Sequence, residues 1–404
     1  MVDFADTTEQ ATFRNEVRRF IRAHCPPELI AEAPYVGTLG GEHSGPLTIE
    51  DRERLTERWW DALASNGWVA ANWPRAYGGA ALSVMEQFIL GEAFAEARAP
   101  RLRVPDVGST ITVHGSDDLK AQFLPGMVRG ETKWCQGYSE PGAGSDLASL
   151  QTRATRDGDD FVINGQKIWT SGARTADMMF AMVRSDPDAP KHRGITYLLL
   201  DMGTPGISVR PLGQMTGATA FNEVFFEDVR VPVRNVVGEV DRGWYVGATH
   251  LDFERSSIGN AVGLRKRLDD LLDFLRSEHE AGTGRSRLGE SAVRAELAEV
   301  ATRVEVARMF SYRVFSLQNR GVIPNHEASV QKVFTSELTQ LASNVGVRAL
   351  GLYGGLYSKD DPRTPMRTVW ARWYLATVSE TIGAGTSEIQ RGIIATRGLG
   401  LPRG

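Results

Sequence analysis

The chain has 404 residues, of which 42% are apolar and 24% are charged, a composition typical of a globular protein with a large core. Its formal net charge of −4 leaves no excess of Lys or Arg for phosphate backbones or anionic lipid, which argues against nucleic acid as a partner. Cys25 and Cys135 are too few for a disulfide framework and have no metal-ligand spacing. No apolar stretch approaches the length of a membrane span, and the N-terminus has no signal pattern, so we expect a cytoplasmic protein without a metal site.

Residues 1–130 form the first region, and their pattern predicts helices. Apolar residues between positions 85 and 93 recur at the spacing of one helix face. Segments at 33–46 and 73–79 carry Gly and Pro, which indicates connections between helices. We therefore expect an N-terminal helical domain.

Residues 131–240 change to short β-branched and aromatic runs separated by turn residues, which predicts a β domain. Asn164-Gly165 lies between two such runs, and this dipeptide favours a hairpin with a tight type I′ turn. Further strands are predicted at residues 179–183, 195–200 and 224–232.

Residues 241–404 return to a helical pattern. Apolar stripes in the segments 297–304 and 330–341 predict long bundle helices, and loops are expected at 280–290 and 358–365. The fold class is therefore mainly α with a central β domain, an order of elements that would suit many functions.

Two segments of the β region indicate a ligand site. Residues 138–146, YSEPGAGSD, combine small residues that let a backbone approach a ligand closely with hydroxyl groups that donate hydrogen bonds. Residues 169–172, WTSG, place an aromatic plane two residues from a hydroxyl, which suits the flat, apolar ring and polar edge of a flavin. Taken alone, the first segment is more often only a turn, and Trp169 is more often a core aromatic on a strand.

A third segment lies near the C-terminus. Residues 383–391, GAGTSEIQR, place small residues before Thr386 and a helical continuation, which predicts a loop capped into a helix. The free N–H groups of a helix start suit a diphosphate or a developing oxyanion. By itself, the segment could equally be an ordinary helix cap.

Together, YSEPGAGSD, NGQKIWTSG and GTSEIQR, in this order and at these separations, closely resemble the acyl-CoA dehydrogenase family over nearly the whole chain. The resemblance implies an N-terminal helical domain, a middle β-barrel or sandwich domain, and a C-terminal four-helix bundle. It also implies FAD as cofactor, an acyl-CoA substrate oxidised to the 2-enoyl-CoA, and electron-transfer flavoprotein or a similar electron acceptor.

The resemblance assigns cofactor roles to matching positions in the β region. Tyr138 and Ser139 would meet the pyrimidine edge of FAD through backbone and hydroxyl groups. Trp169 would lie against the ring, and Ser171 would stand beside N5. Ser145 would touch the thioester ligand.

The C-terminal segment receives roles in the same way. Thr386 and Glu388 would reach the ribityl-diphosphate arm of the flavin, and the backbone N–H of Ala384 would help to polarise the thioester carbonyl. Most relatives carry the catalytic glutamate where this chain has Ala384, which cannot accept a proton. Glu380 and Glu388 each lie four residues away, so neither is expected to replace it.

A second position resembles the place where isovaleryl-CoA and long-chain dehydrogenases carry their glutamate. It falls in residues 251–255, LDFER, at the start of the bundle, so Glu254 is the predicted general base, and Arg255 matches an arginine that supports the thioester site. An apolar pocket would raise the pKa of this carboxyl toward working pH. The commoner fate of a Glu-Arg dipeptide is a solvated helix carboxylate paired with a neighbouring Arg.

The segments that reach a neighbouring subunit's FAD in homotetrameric relatives are only partly matched here, at residues 284–289 and 350–355. This departure resembles the catalytic subunits of actinobacterial heterotetrameric dehydrogenases that act on steroid side chains. It predicts a tetramer, as α2β2 with a second dehydrogenase-like subunit, and a branched or steroid side-chain acyl group. Three alternatives stay open: an acyl-CoA oxidase, a non-catalytic flavin-complex subunit, and a homotetrameric dehydrogenase for short branched thioesters.

Overall fold

The computed structural model describes residues 6–35, 45–254 and 259–402, and backbone alone at 249–254 and 259–260. In these residues the α-helices are α1 (Thr8–His24), α2 (Pro27–Glu32), α3 (Ile49–Ser65), α4 (Val84–Ala97), α5 (Val107–His114), α6 (Asp117–Val128), α7 (Gly243–Glu254), α8 (Gly259–Glu280), α9 (Ser291–Asn319), α10 (His326–Ala349), α11 (Val369–Ala376) and α12 (Ser387–Ile393). The strands are β1 (Trp134–Gly137), β2 (Arg153–Asp157), β3 (Asp160–Lys167), β4 (Met178–Arg184), β5 (Ile195–Asp201), β6 (Ile207–Pro211) and β7 (Asn222–Pro232).

The chain divides into two compact units. The helical unit comprises Met1–Trp59, Leu82–Arg101 and Arg255–Gly404, and the sheet unit comprises Trp60–Ala81 and Leu102–Glu254. The predicted domain boundaries at residues 130 and 240 stay a prediction.

The helical unit is built on the long helices α8, α9 and α10, which pack side by side around leucine, valine and tryptophan side chains. The core includes Leu271, Leu275, Val304 and Trp370, all at most 1% exposed. Burying such residues at about 25 cal/mol per Å² of apolar surface is the main stabilising term. The helical stripes predicted from the sequence are thus confirmed in α9 and α10.

A buried carboxylate links the early helices of this unit to the later ones. Glu92 of α4 accepts hydrogen bonds from Arg14 of α1 and Arg308 of α9, both at 2.7 Å. Its side chain is 2% exposed, so these guanidinium groups compensate a buried charge. The helix α4 itself begins with a capping box in which Ser83 and Glu86 satisfy each other's backbone N–H groups.

The sheet unit contains a seven-stranded sheet within the described residues. Its order is β1-β4-β2-β3-β7-β6, and β5 also pairs with β4. β1 runs parallel to β4, and β3 is antiparallel to both β2 and β7. Alternating side chains such as Ile163, Leu198 and Val224 are fully buried on one side. The strands predicted at residues 179–183, 195–200 and 224–232 are confirmed as β4, β5 and β7.

The hairpin turn predicted at Asn164-Gly165 is wrong. β3 runs straight through these residues, and the tight turn lies earlier, at Gly158, whose φ is +61°. Asn164 instead faces a bulge in β7, where its amide donates to the Asp228 carboxylate at 3.0 Å and accepts from the Asp228 N–H at 2.9 Å. Asn164-Gly165 therefore lies opposite a β-bulge, at which β7 has one more residue than β3.

Two predicted loops are confirmed, because α8 ends at Glu280 and α9 begins at Ser291, and residues 358–364 carry no helix or strand. The loop predicted at 33–46 lies largely outside the described residues. Among the helices that the structure describes, none has both the length and the apolar composition needed to span a bilayer.

Candidate active site

The segment Tyr138–Asp146 leaves strand β1 and folds into a tight turn. Glu140 and Ala143 exchange backbone hydrogen bonds at 3.1 and 3.0 Å. Gly142 is exposed, and a Cβ built on it would meet none of the described residues within 4 Å. The packing of this unit therefore does not require glycine there, so the open space remains available to a ligand.

The first two residues of this segment have different surroundings. Tyr138 is buried, and its hydroxyl group donates to the hydroxyl of Tyr197 at 3.2 Å. Ser139 is half-buried, and its carbonyl accepts the N–H of Ile168 at 2.9 Å. Ser145, near the other end of the segment, is exposed. The backbone of Ser139 is thus fixed to the strand that leads into Trp169.

Trp169 is a surface residue of the sheet unit and not the core aromatic that it would be in an average strand. Its side chain is 59% exposed, and its φ is +62°, a left-handed value that is rare for a bulky residue. Phe221 meets the indole edge to face at 6.1 Å between ring centroids. Backbone strain and an exposed aromatic plane in one residue are typical of ligand sites.

The turn that carries Trp169 is held by Asn222 at the start of β7. The Asn222 side-chain amide donates to the Thr170 carbonyl at 2.9 Å, and the Thr170 N–H donates to the Asn222 carbonyl at 3.0 Å. Both residues are 1% exposed. Ser171, the next residue, is exposed. The clamp therefore fixes a turn whose tip presents an indole and a hydroxyl group to solvent.

The C-terminal segment is a loop capped into α12, as predicted. Thr386 is the N-cap, and its hydroxyl accepts the N–H of Ile389 at 3.2 Å. Ala384 and Gly385 have φ values of +53° and +85°. The side-chain amide of Gln390 donates to the Ala384 carbonyl at 3.1 Å and so fixes this peptide group.

Two buried polar atoms of this segment have no hydrogen-bond partner among the described residues. They are the hydroxyl of Ser387 and the side-chain oxygen of Gln390. Leaving such groups unpaired costs about 1–3 kcal/mol, so unpaired atoms beside an open loop favour a polar ligand.

The carboxylates near Ala384 differ from each other in environment. Burial raises the pKa of Glu380, and attraction to Lys332 partly opposes that increase. A hydrogen bond from its own backbone N–H and one from the Thr386 hydroxyl lower the pKa of Glu388, which is exposed. Ala384 itself is exposed.

Helix α7 carries the predicted base. Close contacts at two glycines place it against the sheet, because a Cβ on Gly243 would lie 2.4 Å from the Tyr197 nitrogen and one on Gly247 would lie 2.7 Å from the Met182 sulfur. The helix ends at Glu254. The Glu254 side chain and all of Arg255 lie outside the described residues, so their catalytic and substrate-binding roles stay predictions.

Comparison with known families identifies the chain. It matches the N-terminal, middle and C-terminal domain models of acyl-CoA dehydrogenase over residues 43–131, 135–229 and 241–399. The chain belongs to the acyl-CoA dehydrogenase family. The predicted fold class and enzyme class, an oxidoreductase of the acyl-CoA dehydrogenase type, are thereby confirmed.

Individual acyl-CoA dehydrogenases match over nearly their full length. Acyl-CoA dehydrogenase FadE26 of Mycobacterium tuberculosis is 34% identical, over 98% of this chain and 98% of the relative. The solved structure of the Tcur3481-Tcur3483 steroid ACAD has a TM-score of 0.82 and 31% identity and covers 100% of both chains. The ChsE4-ChsE5 complex from Mycobacterium tuberculosis has a TM-score of 0.77 and 33% identity, again with 100% of both chains covered.

Sequence reasoning assigned no role to four residues that hold the candidate-site segments in place: Glu140, Lys167, Asn222 and Gln390. The sequence could have indicated that Lys167 is buried. It is separated from the buried Phe161 and Ile163 by even numbers of residues along the strand, so all three face the same side of the sheet. A charged residue at a core-facing position of a strand indicates a buried partner. Asn222 gave no comparable signal, since its partner Thr170 lies 52 residues away in the chain, and the Gln390 bond to Ala384 depends on the positive φ values of the loop between them.

Proposed function

We propose that this chain catalyses FAD-dependent α,β-dehydrogenation of an acyl-CoA thioester to the 2-enoyl-CoA. The observation that carries the proposal is the exposed indole of Trp169, held at a positive φ in a segment that matches a flavin motif of the family. The indole of this clamped, strained turn packs only in part, against Phe221, and a flat apolar ring would cover the part that is exposed.

The residues present fit FAD. Trp169 offers an aromatic plane, Ser139 and Ser171 offer polar groups for the edge of the ring system, and the backbone of Tyr138 adds to them. In the helical unit, the unpaired hydroxyl of Ser387 marks a polar environment beside Thr386 and Glu388, which we assign to the ribityl-diphosphate arm.

We assign the abstraction of the substrate's α proton to the carboxylate of Glu254, which would act as the general base. FAD supplies, when bound, the acceptor for the hydride that leaves the β carbon. The backbone N–H of Ala384 would polarise the thioester carbonyl, and the Gln390 amide holds the next peptide group, Ala384–Gly385, through its bond to the Ala384 carbonyl. Ser145 and Arg255 would bind the thioester part of the substrate.

Glu380 and Glu388 are weaker candidates for the base. Glu388 is exposed and has a lowered pKa, so its carboxylate is a poor proton acceptor. Glu380 has a raised pKa, but it lies in a short 3-10 helix whose backbone is bound by Lys332, with the ammonium donating to the Glu380 carbonyl at 3.0 Å. A carboxylate on α7 therefore remains the better assignment.

The proposed substrate is a branched or steroid side-chain acyl-CoA, and the proposed assembly is an α2β2 tetramer with a second dehydrogenase-like subunit. Among the solved relatives, Tcur3481-Tcur3483 is a steroid ACAD, and ChsE4-ChsE5 is a complex of two proteins. Arg285, in the segment that reaches a neighbour's FAD in homotetramers, is bound to Glu278 of this chain at 2.6 Å. We propose electron-transfer flavoprotein or a similar protein as the electron acceptor, in the cytoplasm.

The experiment that tests the base is Glu254→Gln, assayed with an artificial electron acceptor on straight, branched and sterol-derived thioesters. We expect turnover to fall by roughly 10²–10⁴-fold with FAD retained, because general-base catalysis supplies that factor. Ala384→Glu in the Glu254→Gln background restores a carboxylate at the family's usual position and should recover part of the loss. Near-wild-type turnover of Glu254→Gln with full FAD content would contradict the assignment.

A second measurement tests the assembly. The chain is purified alone and together with candidate partner subunits, and bound FAD is counted per chain. We expect the lone chain to bind less than one FAD and the complex to reach its full content. One FAD per chain in the lone protein would contradict the α2β2 proposal but leave the dehydrogenase proposal intact.

A further inference from the structure

The sheet unit contains a lysine with no exposed surface. The side chain of Lys167 is 0% exposed, and its ammonium donates to the Glu140 carboxylate at 2.7 Å and to the Tyr138 carbonyl at 3.1 Å. Lysine is almost never fully buried unless it is paired. Both of its partners belong to the segment 138–146, whereas Lys167 itself closes strand β3 two residues before Trp169.

Both oxygens of the Glu140 carboxylate accept hydrogen bonds. Besides Lys167, it accepts the backbone N–H of Gln151 at 2.6 Å and that of Thr152 at 2.8 Å. Burial alone would raise the pKa of Glu140, but the charge and hydrogen bonds of Lys167 and the hydrogen bonds of these N–H groups bring it below its usual value. Burial lowers the pKa of Lys167 to about 8, and the attraction of Glu140 limits that decrease. The 2.7 Å contact with Lys167 and the two N–H donors on the carboxylate are the geometry of a buried ion pair.

These contacts join the two flavin motifs of the sheet unit. The Lys167 ammonium holds the Tyr138 carbonyl, and the next residue along the chain, Ile168, donates its N–H to the Ser139 carbonyl at 2.9 Å. Two successive peptide groups of the first motif are thus bound to two successive residues of the second. A change at Lys167 would be transmitted directly to the backbone proposed to meet the flavin edge.

We propose that Lys167 is a positioning residue for flavin binding: its buried ammonium sets the Tyr138 carbonyl and the Glu140 turn at the distance from Trp169 that the isoalloxazine ring requires. This inference rests on the FAD site proposed above. Packing alone would be served as well by an apolar pair of similar size, without the cost of burying two charges. An ammonium with directed hydrogen bonds instead selects one orientation of a particular carbonyl group.

The test uses the full chain, in complex with its partner subunit if the wild type requires it. Three variants are compared with the wild type: Lys167→Met, the double variant Lys167→Met/Glu140→Gln, and Lys191→Met as the matched control. Lys191 makes an exposed ion pair with Asp146 of the same segment, at 2.5 Å. For each protein, the FAD dissociation constant is measured by flavin fluorescence, the visible spectrum of bound flavin is recorded, and the melting temperature is measured without FAD.

We expect Lys167→Met to lose thermal stability and to weaken FAD binding by about tenfold or more, the effect of losing one charge-assisted hydrogen bond that fixes a binding segment. The double variant removes the unpaired buried carboxylate, so its melting temperature should recover, while FAD binding stays weak and the flavin spectrum stays shifted. Lys191→Met should leave the FAD affinity, the flavin spectrum and the melting temperature unchanged.

Two results with the variants would overturn the inference and leave the proposed function intact. Unchanged FAD affinity in Lys167→Met, or affinity that recovers together with stability in the double variant, would mean that the pair serves folding alone. If Lys167→Met does not fold, the double variant decides the question by itself. A wild-type protein and complex that bind no FAD would overturn the proposed function and this inference together, a result that the variants cannot produce.

Discussion

Two loop segments of this protein are held in place by opposite means. In the sheet unit, the segment 138–146 is fixed by the buried charges of Glu140 and Lys167. In the helical unit, the segment 383–391 is fixed by neutral groups, namely the Thr386 cap and the Gln390 amide, and the ion pair that Arg391 makes with Glu337 at its end is exposed. A loop held by neutral groups can exchange a side chain, such as that of Ala384, without leaving a buried charge unpaired. A loop held by a buried ion pair cannot, because either charge alone is costly.

Among the changes that test this difference between the two segments, Glu140→Ala is expected to cause the largest loss of stability. The change leaves the Lys167 ammonium buried without its counter-charge and two backbone N–H groups without an acceptor. We expect the free energy of unfolding to fall by about 3–5 kcal/mol, measured by urea denaturation. As the control, Asp146→Asn breaks only the exposed pair with Lys191 and should cost less than about 1 kcal/mol. Equal losses in the two variants would contradict the claim that the buried ion pair, and not the exposed one, fixes the segment 138–146.

A smaller effect is expected at the neutral segment. Thr386→Ala removes the hydroxyl that accepts the Ile389 N–H at the start of α12 and should cost about 1 kcal/mol, whereas Thr386→Ser should keep the cap. Thermal denaturation of the two variants measures the difference. A loss in Thr386→Ala as large as that in Glu140→Ala would show that the neutral segment is not the more tolerant one.

The smallest expected effect is a change with pH in the stability difference between Glu380→Gln and the wild type. Burial raises the pKa of Glu380 in the folded protein, so the folded state binds this proton more tightly than the unfolded state does. The resulting stability is present below the ordinary carboxyl pKa and is lost as pH rises through the folded value. Glu380→Gln removes this dependence, so its melting temperature relative to wild type should increase between pH 4.5 and 7. A difference that is constant or decreases with pH would mean that Lys332 outweighs burial.

Local sequence patterns predicted much of the molecule. The strands β4, β5 and β7, the stripes of α9 and α10, and the cap at Thr386 depend on residues that are close in the chain, so spacing and residue type were sufficient. The prediction of a turn at Asn164-Gly165 was wrong because the structure there depends on a residue far away in the chain. Asn-Gly suits a type I′ turn, but the bulge at Asp228, 64 residues away in the chain, decided that the strand continues.

The candidate site divides in the same way. The sequence by itself determined the family, through three motifs in a fixed order, and its resemblance to that family predicted that Ala384 stands where most relatives carry the catalytic carboxylate. Only the tertiary structure decided that Trp169 is exposed, that Lys167 is buried against Glu140, and that Asn222 clamps the turn that follows Trp169. Exposure and charge pairing depend on which distant residues become neighbours, and that is settled by the packing of the whole sheet and not by the neighbours of a residue along the chain.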